Sequence, residues 1–584
     1  MNRSRLVLGC VVAMAVGLAA PASASPRTPS GRSPAAGTQY AVARPVCAKP
    51  KDPWLVRCLA VRRVPVAKGT PGAGRWVRRA GVAYGPKGGY TPKDLATAYG
   101  YNPDVPRSNQ TVAVVDWNDD PNALRDLNHF NHHYGLPTET ARSFRKVNQS
   151  GRASPLPAKD REAATETSLD VQAVRAVCHT CRILLVEAKR ATLGDLAAAV
   201  NTAARLGATQ IANSYGMPEP RTVRASIVQA YNHPGIAITA STGDDGWYGW
   251  DWLNTGDVSD NAASFPSTAS SVIAVGGTTL RIGSNGARTN EYVWNSNGAD
   301  DIVGYQSGQM RGASGGGCST LFAAPPWQTA TAGYASAGCR GMRLGTDVSV
   351  IADPMYGFDI YDSYGVGGWA TIGGTSLSAP IVAAMYAVAG GSGGTSYPAS
   401  SLYTNRTYRP GSLYDITLGG NGFCAGDATS ACQDAATQIR PGYTNPNALG
   451  SGLVDCSYPR TGRTSALPPL SSQCNATTGF DGASGVGAPK SVTALYSTTA
   501  TLTISASSTI RAKHRSALAL TVRQRIAATH LTRVTWYFGD GTMAAGTAHH
   551  RQHTWKKPGT YTVTVRTYDS RHQFATKHVT VRVR

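Results

Sequence analysis

Between residues 111 and 240, short apolar segments with strand character alternate with longer segments that have a helical period. Strict alternation requires crossover connections, which place the strands parallel in one sheet and cover both of its faces with helices. In such a sheet, ligands bind at the carboxyl ends of the strands, where Asp116, Ser214 and the run 241–244 fall. The sequence therefore predicts an α/β, doubly wound parallel sheet, with strands at 111–116, 182–187, 210–214 and 236–240 and helices at 122–134, 166–177, 193–206 and 223–232.

The two ends of the chain differ from this middle part. Residues 1–24 combine two early arginines, a short apolar run and a small-residue cleavage motif, which predicts a secretory signal peptide and hence an extracellular protein without a membrane anchor. Residues 25–87 are rich in Pro, Gly, Arg and Ala, which predicts a linker-like or partly ordered leader. Residues 476–495 read as a Gly, Ala and Ser linker, and 496–584 alternate with period two around a Gly-Asp-Gly turn, which predicts a small C-terminal all-β sandwich.

The cysteines support export. One of the eleven, Cys10, lies in the predicted signal peptide, and an even number remains, as expected for disulfides in an exported chain. An alternative for Cys178 and Cys181 is a redox or zinc motif, but no second such pair supplies the other metal ligands. Pairing by proximity predicts the disulfides Cys47–Cys58, Cys178–Cys181, Cys318–Cys339, Cys424–Cys432 and Cys456–Cys474.

The net charge of +22 arises from 56 Lys and Arg against 34 Asp and Glu. These basic residues are spread along the chain and form no patch interleaved with aromatic residues. We therefore expect a basic, soluble surface, with no nucleic acid and no membrane among the partners, and a monomer.

A candidate nucleophile lies in the run Gly373–Pro380, which precedes an Ala-rich apolar helix. Glycines allow the backbone to approach a ligand closely, and a serine at a helix N-terminus lies beside unpaired amides that can stabilise an anion. Ser376 is thus a candidate nucleophile with an oxyanion hole next to it. The alternative is a Gly and Ser loop that merely caps a core helix.

Three acidic residues could complete this chemistry. Glu166 and Asp170 are four residues apart on one helix face, where two carboxyls share a proton and one can act as a base; the alternative is an exposed acidic helix face. Asp244 ends a strand, and a protonated Asp there could donate a hydrogen bond to an oxyanion. Its alternatives are a turn-forming Asp or a calcium ligand.

In this order, Glu166-x-x-x-Asp170, Ser241-x-Gly-Asp244 and Gly-Thr-Ser376-x-Ser-x-Pro resemble the sedolisin family of serine-carboxyl peptidases. Accessory segments extend the resemblance over roughly residues 90 to 456. It implies a subtilisin-like catalytic domain over 88–475 that is active at acid pH on protein or peptide substrates. It also assigns Ser376 as nucleophile, Glu166 as base, Asp170 as its partner and Asp244 as oxyanion donor.

A second resemblance concerns the C-terminal residues. Residues 536–542 and 558–565 resemble a PKD-type domain, a non-catalytic module that helps secreted hydrolases to engage structured substrates. The sedolisin resemblance also implies a calcium site. Asp415, Ile416 and Gly442 match it, but Thr444 stands where the family has a final carboxylate, and losing a charged oxygen weakens a hard-cation site.

The sequence thus predicts a secreted serine-carboxyl endopeptidase with a Ser-Glu-Asp triad. One rival is a subtilisin-like Asp-His-Ser peptidase that uses Asp116 as its acid, but its His-Gly-Thr-His signature is absent. The other is a catalytically silent extracellular binding or adhesion protein. Cleavage of denatured protein by the chain, compared with a Ser376→Ala variant, discriminates between these interpretations, and equal activity in both would remove the nucleophile assignment.

Overall fold

The computed structural model describes residues 37–52, 54–70, 74–78, 84–249, 262–295, 312–422, 472–497, 501–504, 509–512, 515–523, 531–547, 550–569 and 574–583. The predicted signal peptide, Gly442, Thr444, Cys424, Cys432 and Cys456 lie outside these ranges.

Up to residue 497 the described chain contains strands, α-helices and short 3₁₀ turns. The strands are β1 (Gly37–Pro45), β2 (Arg57–Cys58), β3 (Val61–Pro65), β4 (Gly74–Arg78), β5 (Thr111–Trp117), β6 (Phe144–Asn148), β7 (Arg182–Ala188), β8 (Gln210–Asn213), β9 (Tyr215–Pro218), β10 (Ala237–Ser241), β11 (Asp245–Trp247), β12 (Ser264–Phe265), β13 (Ile273–Ile282), β14 (Arg288–Val293), β15 (Ala313–Gly316), β16 (Cys318–Ala323), β17 (Met342–Leu344), β18 (Val348–Ile351), β19 (Phe358–Asp362), β20 (Gly368–Gly373), β21 (Leu413–Tyr414) and β22 (Ala488–Pro489). The α-helices are α1 (Pro92–Tyr99), α2 (Ala123–Tyr134), α3 (Arg161–Val177), α4 (Leu193–Arg205), α5 (Ala225–Ala230), α6 (Pro326–Thr329), α7 (Thr375–Val388) and α8 (Ala399–Tyr408), with 3₁₀ turns at Ala335–Ala337, Pro354–Tyr356 and Val492–Leu495.

The main sheet has the strand order β14-β13-β10-β8-β5-β7-β6, and β18 also pairs with β13. All of these neighbours are parallel except β14, which is an antiparallel edge strand. Helices α3 and α7 pack against each other on one face, and α4 packs on the other. The predicted subtilisin-like, doubly wound fold is confirmed, and β6 is a strand that the sequence pattern did not predict.

Helices α7 and α3 are both buried along almost their whole length. Every residue of α7 is buried, in agreement with its Ala-rich sequence, so packing rather than a polar face stabilises it. The N-terminus of α3 is capped by Asp160, whose side chain accepts a hydrogen bond from the Ala163 amide at 2.9 Å. The contact between α3 and α7 brings their functional side chains towards each other.

The leader is more ordered than its composition predicted. Strands β1, β3 and β4 join β19 and β20 in an antiparallel sheet of order β19-β20-β3-β1-β4. Of the two predicted alternatives, a linker-like or a partly ordered leader, the linker-like one is wrong for these strands, because strand pairing with partners about 300 residues away leaves no trace in local composition.

The predicted linker at 476–495 is also wrong. Residues of this segment, among them Phe480, Asp481 and Ala483, are fully buried in the same body as the main sheet. Its glycines reflect close packing: at Gly485, φ is +67° and a Cβ would lie 2.3 Å from the backbone of Asp347. A small-residue segment can thus be a tightly packed part of a core.

The C-terminal residues form two sheets of short strands, as predicted. The strands are β23 (Thr501–Ile504), β24 (Thr509–Ala512), β25 (Arg515–Arg523), β26 (Leu531–Tyr537), β27 (Met543–Gly546), β28 (His550–Thr554), β29 (Gly559–Asp569) and β30 (Phe574–Val583). Their orders are β23-β25-β28 and β24-β30-β29-β26-β27. A separate apolar core includes Trp536, Trp555 and Val581, and the Gly-Asp-Gly turn connects β26 to β27.

Three predicted disulfides are present in the described part of the chain, namely Cys47–Cys58, Cys178–Cys181 and Cys318–Cys339. Cys474 is also disulfide-bonded, while its predicted partner Cys456 lies outside the described ranges. Across the helices described, none combines the length and apolar character needed to cross a bilayer.

Candidate active site

The loop before α7 places Ser376 in the second position of that helix. Gly374 precedes the helix with φ at +90°, and a Cβ on it would lie 2.3 Å from the Leu59 carbonyl oxygen and 2.6 Å from Oδ2 of Asp244. Only glycine fits both the backbone conformation and this space. The Ser376 side chain is fully buried, with its amide at the N-terminal end of the helix.

Glu166 and Asp170 lie on the face of α3 that packs against α7, and both are fully buried. The alternative of an exposed acidic helix face is therefore excluded. Burial raises the pKa of both carboxyls well above their ordinary values, and repulsion raises it further, from Asp170 and Asp116 on Glu166 and from Asp116 on Asp170. Because each charge disfavours the next, we expect the carboxyls of Glu166, Asp170 and Asp116 to share protons rather than ionise independently.

The Ser376 hydroxyl is close enough to Glu166 to lower its pKa, yet the hydrogen bonds of the hydroxyl run elsewhere. Oγ donates to the Ser214 carbonyl at 2.9 Å, and neither oxygen of Glu166 has a hydrogen-bond partner within the described residues. The direction of the hydroxyl proton is fixed by its bond to Ser214. The hydroxyl proton must turn from the Ser214 carbonyl towards Glu166 before it can be transferred.

Asp116 is a third buried carboxyl at this position, and the sequence analysis assigned it only to the rival mechanism. It is the penultimate residue of β5 and lies beside α3, where its Oδ2 accepts a hydrogen bond from Thr167 at 3.1 Å. Burial raises its pKa to about 7. Its location at the carboxyl end of a central strand was the signal that could have included it.

Asp244 lies next to the N-terminus of α7. Its Oδ1 accepts hydrogen bonds from the amide and the hydroxyl of Thr375, both at 2.7 Å. Burial raises its pKa to about 7, against the opposing effect of those hydrogen bonds. Below that pH the other oxygen, Oδ2, can carry a proton and donate it towards the space beside Gly374.

The cleft beside these residues contains the chain's own segment 57–61. Strand β2 pairs antiparallel with β9, with Arg57 opposite Gly216, and Val61 of β3 lies opposite Gly373 of β20. Between the two pairings, the Ser376 amide donates to the Leu59 carbonyl at 2.7 Å. A substrate is expected to bind in the same way, with strand pairing before and after the nucleophile and with the carbonyl under attack at the N-terminus of the helix.

Leu59 also contacts the nucleophile through its amide, which donates to Oγ of Ser376 at 2.9 Å and to the Ser214 carbonyl at 3.3 Å. The peptide bond presented to Ser376 is therefore Leu59–Ala60. The disulfide to Cys47 fixes Cys58 on one side of this bond, and the Val46 amide binds the Ala60 carbonyl at 2.9 Å on the other. Sequence analysis missed this segment, although the apolar run around Cys58 was visible.

Comparisons with known proteins agree with this geometry. A family model described as PKD domain matches residues 501–583. The chain is 29% identical to sedolisin of Pseudomonas sp. (strain 101) over 59% of this chain and 57% of that protein. It is 27% identical to kumamolisin of Bacillus sp. (strain MN-32) over 62% of each chain. The chain thus spans somewhat over half the length of these curated relatives.

A solved structure gives the same result. Pseudomonas sedolisin, described as a serine-carboxyl proteinase complexed with two molecules of pseudo-iodotyrostatin, has a TM-score of 0.52 and 26% identity over 69% of this chain and 95% of that one. The chain is thus similar to sedolisin over its larger, N-terminal part, and its C-terminal residues match a PKD domain. The resemblance predicted from the motifs is confirmed by these findings.

The predicted calcium residues lie apart from this site. Asp415 accepts hydrogen bonds from the Gly479 amide at 2.9 and 3.1 Å, and Ile416 is fully buried. Within the described ranges, no cluster of three or more His, Cys, Asp or Glu could hold a metal. Since Gly442 and Thr444 lie outside those ranges, the calcium site stays a prediction.

Proposed function

We propose that the protein is a secreted serine-carboxyl endopeptidase that hydrolyses peptide bonds in proteins at acid pH. The observation that carries the proposal is the Leu59 carbonyl, which accepts a hydrogen bond from the Ser376 amide beside Asp244 while the segment around it pairs with strands on both sides. The buried carboxyls of Glu166, Asp170 and Asp116 lie close enough together to raise one another's pKa, and they are the candidate bases. The PKD domain would engage structured protein substrates.

In the proposed reaction, Glu166 accepts the proton of Ser376 as Oγ attacks the substrate carbonyl carbon. Asp170 shares the proton held by the pair and orients Glu166. The developing oxyanion is stabilised by the Ser376 amide and by protonated Asp244. Glu166 then gives its proton to the leaving amine, and water releases the acyl group by the same route in reverse.

The proposal predicts an acid optimum. The pKa of Asp244 is raised to about 7, so its proton is present below that pH and is lost as the pH rises through it. The oxyanion donor therefore disappears above neutrality. An enzyme with a histidine base would instead gain activity up to neutral or alkaline pH.

The test is cleavage of acid-denatured protein by the full-length chain and by Ser376→Ala at about pH 3 to 7. The matched control is Ser378→Ala, which removes an equally buried hydroxyl from the same helix, bonded to the Ile351 carbonyl at 2.9 Å. We expect loss of activity in Ser376→Ala only. Equal activity in Ser376→Ala and the parent chain would refute the nucleophile, and mass spectra of the products would distinguish internal cleavage from removal of short terminal peptides.

A further inference from the structure

The segment in the cleft also shows which side chains the site accepts. Leu59 supplies the carbonyl at Ser376, and Arg57 is two residues before it. The Arg57 guanidinium contacts both carboxylate oxygens of Asp245. Both side chains are almost fully buried, with 4% and 5% exposed.

Asp245 belongs to the wall of the cleft rather than to the segment bound in it. It begins β11 directly after Asp244, and the backbone there is fixed by pairing with β15. Together with Gly216, Gly243 and Ser264 it lines a pocket beside Leu59. A substrate that replaces the segment in the same register would bring its own side chain to this carboxylate.

We propose that Asp245 determines specificity, binding an arginine of the substrate two residues before the residue whose carbonyl is attacked, with a leucine-sized apolar residue at the latter. This inference rests on the proposed peptidase function. It names the substrate class as peptides with a guanidinium and an apolar side chain at this spacing.

The physical reason is the cost of leaving a buried charge without its partner. When Arg57 leaves the cleft, the buried Asp245 loses the cation that contacts both of its oxygens, a strongly unfavourable change. A substrate arginine restores the contact, whereas glutamine leaves the carboxylate uncompensated.

The Arg57–Asp245 ion pair also changes the pKa of Asp244, the proposed oxyanion donor. Asp245 raises the pKa of Asp244, and Arg57 lowers it. A substrate arginine in the place of Arg57 should therefore lower the pH above which activity is lost, compared with a neutral substrate. A mere anchoring role for the leader would not produce this dependence on the substrate.

The experiment uses full-length protein after incubation at acid pH and three fluorogenic peptides based on residues 56–61, Val-X-Ala-Leu-Ala-Val, with arginine, citrulline or glutamine at X. Citrulline keeps the shape of arginine without its charge, so the parent enzyme alone tests the idea. We expect kcat/KM to be about 10- to 100-fold higher for arginine than for citrulline or glutamine. In Asp245→Asn this ratio should fall to near one, while Asp104→Asn, which removes an exposed carboxylate that pairs with His179 instead, should keep it.

Similar kcat/KM for arginine and citrulline in the parent enzyme would overturn the inference, as would an unchanged ratio in a folded Asp245→Asn. Both results leave the proposed peptidase function intact, because cleavage itself still occurs. Failure of the proposed function looks different: the Ser376→Ala chain would cleave all three peptides as fast as the parent.

Discussion

Asp244 allows a sharp test because the roles of its two oxygens differ. Oδ1 accepts two hydrogen bonds from Thr375 at 2.7 Å, whereas Oδ2 has no partner in the described part of the chain and lies beside the Leu59 carbonyl. In Asp244→Asn the amide oxygen can keep the Thr375 contacts, and the amide nitrogen takes the place of Oδ2. The variant therefore keeps a donor at the oxyanion but cannot titrate.

The expected magnitudes follow from this geometry. Loss of one oxyanion donor in Asp244→Ala should lower kcat by about 10²- to 10³-fold at pH 4 to 5, or about 2.7–4 kcal/mol. In the parent, the proton of Asp244 is lost as the pH rises through about 7, so kcat should fall about tenfold per unit above that pH. Asp244→Asn should stay within about tenfold of the parent at pH 5 and lack this alkaline fall.

The assay is kcat for one peptide substrate from pH 4 to 9 in the three proteins, with unfolding transitions recorded to show that each is folded. Either of two results would refute the reasoning. One is an Asp244→Ala chain that keeps the parent's kcat, and the other is an Asp244→Asn chain with the same alkaline fall as the parent.

Three other substitutions test neighbouring features. Glu166→Gln should lower kcat by about 10²- to 10⁴-fold because the base is lost. It should also raise the melting temperature at neutral pH, because the pKa of the buried carboxyl is raised and its ionisation destabilises the fold, and calorimetry at pH 4 and 7 checks the sign of this change. Gly374→Ala should lower kcat by at least about 10²-fold because its Cβ would clash with the oxyanion position, whereas Gly390→Ala, with a similar φ of +94° and nothing within 4 Å, should keep kcat. Trp555→Ala should destabilise the C-terminal domain by about 3–5 kcal/mol, seen as a lower unfolding midpoint, and leave kcat on a short peptide unchanged.

The sequence predicted those parts of the site that depend on local spacing. Glu166 and Asp170 share a face because they are four residues apart on a helix, and Ser376 lies two residues after Gly374, where only glycine fits the positive φ and the close backbone approach. The position of Asp244 could be predicted because parallel strands end at one edge of the sheet. In each case one element and its immediate neighbours determine the geometry.

The features that sequence analysis missed depend on distant partners. The contact between Leu59 and Ser376 joins residues 317 positions apart, and no local pattern encodes such a pairing. The segment 476–495 was misjudged because small residues are common both in flexible linkers and where backbones pack closely. Asp116 was placed at the carboxyl edge of the sheet but given a role only in the rival mechanism, since its proximity to Glu166 appears only once β5 and α3 are packed.

The disulfide Cys47–Cys58 would keep the segment 57–61 attached to the chain even after it has been cut. Hydrolysis of Leu59–Ala60 would leave the new carboxyl end covalently attached through Cys58 and the new amino end paired within the β-sheet. Both product ends would then rebind intramolecularly, at an effective concentration of about the millimolar range that dilution cannot lower. Turnover of external peptides by the full-length chain would therefore rise during incubation at acid pH, as cuts elsewhere in the leader accumulate, and would rise further once this bridge is reduced.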